Sequence, residues 1–285
     1  MLNPILEREL KTRMRTWKTP ILLTVYLFLI GMILTLILLS SNVTYGYRAQ
    51  GFDPSIISTV YDVLVIFQMI LLMLIIPVFT ATAISGERER QTLDLMLCTD
   101  ISPWKILFGK ISAALTFILL IIFASIPFIS IIMLFGGVSI FDILKVVLYY
   151  MVAAFMLSTV GIFATTHFKR NITAIMMSYI ILGLIYFIPI VLMIILSIVT
   201  QVANMHGLKD FFETYIYEIV AILFGANPGF GLLSLLNNDP FELAYMMINR
   251  QTFLSHLPTW VISLVYFAII SSIALLLSKR KLSKR

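Results

Sequence analysis

Long apolar runs dominate the sequence, and short polar connections separate them. Each of six runs carries few or no charged residues over about 20 positions or more, which as a helix crosses about 30 Å of hydrocarbon. The runs lie at about residues 20–40, 60–84, 110–135, 142–166, 172–200 and 259–278. The pattern predicts an all-α polytopic membrane protein, with six transmembrane helices in one domain that covers residues 1–285.

Local start signals agree with two of these spans. Asp53-Pro54 is typical of an N-cap residue followed by proline at the first helical position, ahead of the second span. Ser139, with Asp142 three residues later, resembles a capping box ahead of the fourth span.

A seventh span is conceivable at residues 211–236, which are also largely apolar. Glu213, Glu218 and the breaker run at 225–229 count against it, and a seventh crossing would invert the strongly basic C-terminal tail. We therefore expect residues 201–258 to be extracytoplasmic and to form interfacial helices or helices that re-enter the bilayer.

Composition supports the membrane assignment. Hydrophobic residues make up 60% of the chain and charged residues 12%, with a mean hydropathy of +1.03. Soluble domains have about 45–50% apolar and about 25% charged residues. Cys98 is the only cysteine, which rules out an intramolecular disulfide and a cysteine metal cluster.

The distribution of basic residues predicts the orientation. Sixteen of the 20 lysine and arginine residues lie in the N-terminal segment, the second and fourth connections and the C-terminal tail, all on one side of the six predicted spans. By the positive-inside rule, this side is cytoplasmic and contains both termini of a cell-membrane protein. The net charge of +6 is therefore a topology signal, and no nucleic-acid partner is expected.

The N-terminal residues 1–18 have apolar positions near helical spacing with arginine and lysine between them. They predict an amphipathic helix in the cytoplasmic interface, with Trp17 at headgroup level. Its function is either to anchor the chain or to dock a partner. The candidate residues of this interfacial helix are Glu7, Arg8, Leu10, Arg13 and Trp17.

The sequence lacks the residues that several classes of function require. No predicted span carries a charged residue or histidine near its middle, which argues against proton relays and voltage sensing. The nearest P-loop spacing, Gly46 to Gly51, continues with Phe52-Asp53 in place of Lys-Ser/Thr. The scattered histidines form no protease motif. We therefore expect no catalytic residues, no metal and no directly bound cofactor.

The charged segment at residues 85–105, between the second and third spans, stands out from this apolar background. Residues 87–97 predict about three helical turns, with charged residues around an apolar patch of Leu93, Met96 and Leu97. Asp100 to Trp104 break the helix, and Ser102-Pro103 is a cap and first-turn pair that restarts it. The segment is either an ordinary solvated loop or a surface that fits a groove on a cytoplasmic partner.

The run GERERQTLDLMLCTDISPWKILFGK resembles the segment between the second and third spans of ATP-binding-cassette (ABC) permeases of the type-2 exporter class. Those proteins commonly read close to G-E-R-E-x-G-T-L-E-L-L-L-x-T-P, followed by a helix that ends in G-K. Gln91 stands in place of the usual glycine, Asp94 in place of glutamate and Asp100 in place of proline. The matching residues are Gly86, Glu87, Arg88, Glu89, Thr92, Leu93, Leu95, Leu97, Thr99, Gly109 and Lys110.

The resemblance implies a permease subunit that forms the substrate pathway of an exporter. In this family, the segment is a coupling helix that docks onto a separate ATPase subunit, and that subunit binds ATP and Mg²⁺. A second permease subunit, identical or related, and membrane lipid are further expected partners. The candidate ATPase-binding residues are Glu87, Arg88, Glu89, Thr92, Leu93, Asp94 and Leu97.

Two other functions remain open from the sequence. The first is an ion-coupled carrier or channel that acts without an ATPase. The second is a membrane scaffold or sensor whose charged segment recruits a soluble partner. The apolar spans are compatible with an amphiphilic cargo, but they also fit helices that face only lipid and each other.

Overall fold

A computed structural model of the chain describes residues 7, 11, 17–44, 54–89, 91, 102–134, 138–205, 222, 225, 227–236 and 258–283. Within these ranges every regular element is a helix, which confirms the predicted all-α class. The helices are α1 (Lys18–Thr44), α2 (Pro54–Ala81), α3 (Ser85–Glu89), α4 (Pro103–Leu134), α5 (Ile140–His167), α6 (Asn171–Met205), α7 (Pro228–Leu235) and α8 (Thr259–Ser283).

Six of these helices are long and apolar enough to cross a membrane, counted over the described residues. They are α1, α2, α4, α5, α6 and α8, which confirms the predicted number of spans. A helix satisfies its main-chain hydrogen bonds internally, which is the condition that lipid imposes on a crossing segment.

The cap signals locate three of the helix starts. α2 begins at Pro54 and α4 at Pro103, as the two proline pairs predict. Ser139 is the N-cap of α5, and its hydroxyl accepts a hydrogen bond from the main-chain N–H of Phe141 at 3.3 Å. The predicted capping box is only half formed, since the Asp142 carboxylate accepts from Lys145 Nζ at 2.9 Å.

α5 lies at the centre of the bundle, packed against α2, α4, α6 and α8. Of its spanning stretch, 67% is buried, compared with 17% for α1 and 22% for α6. Small residues on α5 allow this close packing, which drives helix association in lipid. The buried small residues of α5 are Ala153, Ala154, Ser158, Gly161 and Ala164.

α2 and α5 approach most closely at Gly161. A Cβ atom on this glycine would lie 1.9 Å from Thr80 Oγ1 and 2.8 Å from Thr80 Cβ. These separations are far inside van der Waals contact, so the two helices can keep this spacing only with glycine at position 161.

Uncharged polar pairs join the helices inside the bundle. Gln68 Nε2 donates to Ser125 Oγ at 2.9 Å, linking α2 to α4. The Tyr150 hydroxyl donates to the Val65 carbonyl at 2.6 Å, linking α5 to α2. Such bonds hold helices together in lipid, where no hydrophobic effect acts between them.

The short helix α7 packs against α2, α5 and α8, at the end of the bundle opposite to α3. Asn227 caps it: its Oδ1 accepts from Gly229 N–H at 2.8 Å and its Nδ2 donates to the Tyr186 carbonyl at 3.2 Å. The Tyr149 hydroxyl donates to the Pro228 carbonyl at 2.8 Å. The breaker run at 225–229 thus extends into the first turn of a helix held among the spans. Most of residues 201–258 lie outside the described residues, and their side of the membrane stays a prediction.

Gly161→Ala should destabilise the fold, because the added methyl group must push α2 and α5 apart. We expect a loss of about 1–3 kcal/mol, seen as a lower thermal unfolding midpoint in detergent. Gly183→Ala on α6 is the matched control, since a Cβ there meets nothing within 4 Å. An unfolding midpoint for Gly161→Ala equal to that of this control would contradict the close approach.

Candidate functional site

The charged segment begins with α3, whose first turn is fixed by a residue from α5. The Thr165 hydroxyl oxygen accepts hydrogen bonds from the N–H groups of Ile84 at 3.3 Å and Ser85 at 2.7 Å. Ile84 and Ser85 are fully buried. A buried main-chain donor needs a partner, so Thr165 determines where α3 can start.

Lys110 of α4 forms a buried ion pair with α3. Its side chain is inaccessible to solvent, and its Nζ lies 3.0 Å from Glu87 Oε1. The ammonium also donates to the Ala83 carbonyl at 2.7 Å. Both acceptors are required, because a charge removed from water is tolerated only when it is paired and hydrogen-bonded. The pair therefore ties α3 to α4.

An apolar cluster lies beside the buried Lys110 side chain. Its members come from the residue before α3 and from α4, α5 and α8, with Trp104 packed at its edge. The buried residues of the cluster are Ile84, Leu107, Ile111, Ile162, Leu275 and Leu282.

Asn171, the first residue of α6, contacts both ends of α3. Its main-chain N–H donates to Glu89 Oε1 at 2.8 Å, and its Nδ2 donates to Glu89 Oε2 through a short bond. Its Oδ1 accepts from the Ser85 hydroxyl at 2.6 Å. A carboxylate at a helix N-terminus also interacts favourably with the helix dipole. Glu89 thus caps α6 from another element.

Arg88 binds the connection between α5 and α6. Its Nη1 donates to the carbonyl of Phe168, the C-cap residue of α5, at 3.0 Å. Three of the four charged residues predicted to bind an ATPase, Glu87, Arg88 and Glu89, therefore contact a neighbouring part of the same chain.

The predicted helix from Glu87 to Leu97 is not continuous. α3 ends at Glu89, and Gln91 has a φ of 59°, in the left-handed region. Its N–H donates to the Arg88 carbonyl at 3.0 Å, as in a helix-terminating turn. The remaining candidates, Thr92, Leu93, Asp94 and Leu97, lie outside the described residues, so their contact with a partner stays a prediction.

The left-handed backbone at Gln91 explains why related permeases commonly have glycine at the corresponding position. Glycine adopts positive φ without steric cost, whereas a side chain there is strained. The sequence shows Gln91 in place of glycine, but no bend was predicted from it.

α4 restarts next to the end of α8. Lys279 Nζ lies 5.0 Å from the centroid of the Trp104 ring, and Trp104 stacks on Phe108 with ring centroids 5.7 Å apart. A lysine over an aromatic face is an attractive cation–π arrangement. The last spanning helix therefore also contacts the charged segment.

The N-terminal helix is described only in part. Glu7 and Lys11 are helical and form an exposed ion pair at 2.7 Å, and the hydrogen bond from Lys11 lowers the pKa of Glu7. Trp17 is 82% exposed. Arg8, Leu10 and Arg13 lie outside the described residues, so the interfacial helix stays a prediction.

Three residues that build the site were missed by the sequence reasoning: Lys110, Thr165 and Asn171. Lys110 was counted as a topology signal and as part of the matching motif, but its burial and its pairing with Glu87 were not predicted. Thr165 and Asn171 carried no local signal that could reveal contacts with residues 80 or more positions away.

The arrangement is suited to mechanical attachment. It connects a five-residue charged helix to α4, α5 and α6 by buried or partly buried polar contacts. Within the described ranges, no group of three or more histidine, cysteine, aspartate or glutamate side chains could hold a metal ion. The expectation that the chain binds no cofactor directly stays a prediction.

Six apolar helices, with a charged helix fixed at one end of the bundle, define a multi-pass helical membrane protein. The family model described as "ABC-2 family transporter protein" matches residues 3–281, and the chain belongs to this family. It is a permease subunit of an ABC transporter, as the resemblance implies. Members are membrane components that are not catalytic themselves and that work with an ATP-binding subunit. No curated protein matches the chain.

Removing Glu87 should destabilise the protein more than removing Lys110. Glu87→Ala leaves the buried ammonium without its carboxylate and should cost about 3–5 kcal/mol. Lys110→Met should cost less, because the Glu87 side chain that it leaves unpaired is 16% exposed, whereas the Lys110 side chain is fully buried. The measurement is the thermal unfolding midpoint, followed by tryptophan fluorescence in detergent.

The double variant Glu87→Gln with Lys110→Met removes both charges and should unfold closer to the wild-type midpoint than Glu87→Ala does. Asp142→Asn is the control, since it breaks an exposed ion pair worth about 0–1 kcal/mol. Equal midpoints for Glu87→Ala and Asp142→Asn would refute the structural importance of the buried pair.

Gln91→Gly should stabilise the charged segment, because glycine relieves the left-handed strain of about 1 kcal/mol. Gln91→Val should have the opposite effect, since a β-branched residue is least tolerant of positive φ. Protease resistance of the segment reports both changes. Faster cleavage of the glycine variant than of the wild type would contradict the left-handed conformation at Gln91.

Proposed function

We propose that the chain is the permease subunit of an exporter and that residues 85–105, the coupling segment, dock onto a separate ATPase subunit. The observation that carries this proposal is the attachment of α3 to α4, α5 and α6. A displacement applied to the coupling segment therefore acts on three spanning helices as well as on α2, which precedes it in the chain.

The contacts of α3 distinguish the coupling segment from an ordinary solvated loop. A connecting loop keeps its charged side chains in water and tolerates changes. In contrast, the Glu87 carboxylate lies against a buried ammonium, and the N–H groups at the start of α3 are buried. The segment is therefore rigidly held on its membrane side, as a part that transmits force must be.

The structure supports a division of roles within the motif. Glu87, Arg88 and Glu89 hold the segment to the bundle, and the apolar patch beyond Gln91 contacts the ATPase. ATP and Mg²⁺ are bound by that partner. Nucleotide binding then biases two arrangements of the spanning helices, which requires that the ATPase have different affinities for them.

The geometry also supports a cytoplasmic location for the coupling segment. Arg88 bonds the connection that carries Lys169 and Arg170, and Trp104 lies under Lys279 near the end of α8. The α5–α6 connection and the end of α8, which both carry basic residues, thus lie at the same end of the bundle as the coupling segment. By the positive-inside rule this end faces the cytoplasm, which gives cytoplasmic N- and C-termini in the cell membrane.

A complete transporter contains two permease and two ATPase subunits under this proposal. α1 and α6 have the least buried spanning stretches, and both expose large apolar side chains. A second permease, identical or related, together with membrane lipid, covers these faces.

The test is co-purification of an ATPase with the permease from detergent-solubilised membranes. Leu93→Asp with Leu97→Asp should reduce the recovered ATPase about tenfold or more, because burying an unpaired carboxylate costs at least about 1.4 kcal/mol. Asp142→Arg is a control at the opposite end of the bundle and should leave recovery unchanged. Full recovery of ATPase activity with the double variant would refute the docking surface.

A further inference from the structure

We propose that Glu89 and Asn171 form the link through which movement of the coupling segment reaches α6. Both residues position helices and contact no ligand. This inference rests on the proposed function, because it requires an ATPase that moves the coupling segment.

The link engages α6 at its first residue through both main chain and side chain. The Glu89 carboxylate accepts from Asn171 N–H at 2.8 Å and also from Asn171 Nδ2. Hydrogen bonds to a charged group are about twice as strong as neutral ones. The bond to the main-chain N–H acts directly on the helix axis, so it does not depend on a flexible side chain of α6.

Asn171 is also held from the other end of α3. The Ser85 hydroxyl donates to Asn171 Oδ1 at 2.6 Å, while the carboxylate of Glu89 binds the opposite side of the same amide group. Two contacts along the length of α3 resist rotation as well as translation. A tilt of α3 must therefore turn or shift the start of α6.

Of the three spanning helices that α3 contacts, α6 is the one least packed within its own chain. Only 22% of its spanning stretch is buried, whereas 67% of α5 is buried. Closely packed interfaces do not deform continuously, so displacing α5 would disrupt contacts with all its neighbours. The contact between Arg88 and the end of α5 then serves as the fixed side of the link, and Asn171 as the moving side.

The experiment measures the position of α6 in the permease–ATPase complex. Two nitroxide labels are placed through Gly183→Cys on α6 and Ser272→Cys on α8, in a Cys98→Ser background. A Cβ at Gly183 meets no atom within 4 Å and Ser272 is exposed, so both sites accept a label. Labelled permease is diluted into unlabelled permease, so that electron-spin distances report on one chain.

In the parent complex, we expect the distance between the two labels to change by about 2–5 Å between the nucleotide-free and the vanadate-trapped state. Glu89→Ala removes both bonds to Asn171 and should abolish this change. Asn171→Ala should only reduce it, because the main-chain N–H at position 171 still donates to Glu89. Glu89→Gln should retain part of it, because its amide oxygen still accepts from the main-chain N–H of Asn171. This partial rescue separates transmission from a merely structural role.

Two controls define the comparison. Thr173→Ala lies in the same turn of α6 but removes only a local bond to the Arg170 carbonyl, so the distance change should persist. A second pair of labels, through Val152→Cys on α5 and Ser272→Cys, should show no change with nucleotide in any variant.

Failure of this inference is distinguishable from failure of the proposed function. If no ATPase co-purifies with the parent, both are overturned. If the ATPase is retained and the α6 distance changes as much in Glu89→Ala as in the parent, only the link is overturned. A parent complex in which the nucleotide leaves the α6 distance unchanged also refutes the link.

Discussion

The ammonium group of Lys110 imposes the constraint on which the coupling segment depends. It is buried beside an apolar cluster, so it requires a carboxylate and a carbonyl within hydrogen-bond distance. Glu87 and Ala83 supply them and thereby bring the start of α3 against α4. Once α3 lies there, its main-chain donors meet Thr165 and its remaining side chains reach the α5–α6 connection. One buried charge thus organises contacts among four helices.

Much of the fold follows from the sequence, because lipid allows few solutions. The length of each apolar run gives the number of spans, and pairs such as Ser102-Pro103 give the helix starts. The central position of α5 was not predicted, since hydropathy does not distinguish a helix that faces lipid from one that faces other helices. Burial of Gly161 against Thr80 is a property of two elements together.

The sequence singles out the charged motif as the candidate site, but it did not predict the contacts that this motif makes. The charged motif suggested a surface presented to a partner, whereas its described side chains hold the segment to the bundle. A local pattern gives helix and turn preferences, but it contains no information on residues as distant as Asn171. The left-handed Gln91 also shows that one residue can end a helix that periodicity alone would extend.

The close approach of Gly161 and Thr80 determines which substitutions are tolerated at this position during evolution. Exposed apolar positions on other helices, such as Phe123 on α4 or Leu148 on α5, can exchange one large apolar residue for another, because little of this chain packs against them. Position 161 excludes residues larger than glycine, because even a single methyl group would collide with the neighbouring helix. We therefore expect homologous chains to vary freely on the outside of the bundle and to keep glycine at this crossing point.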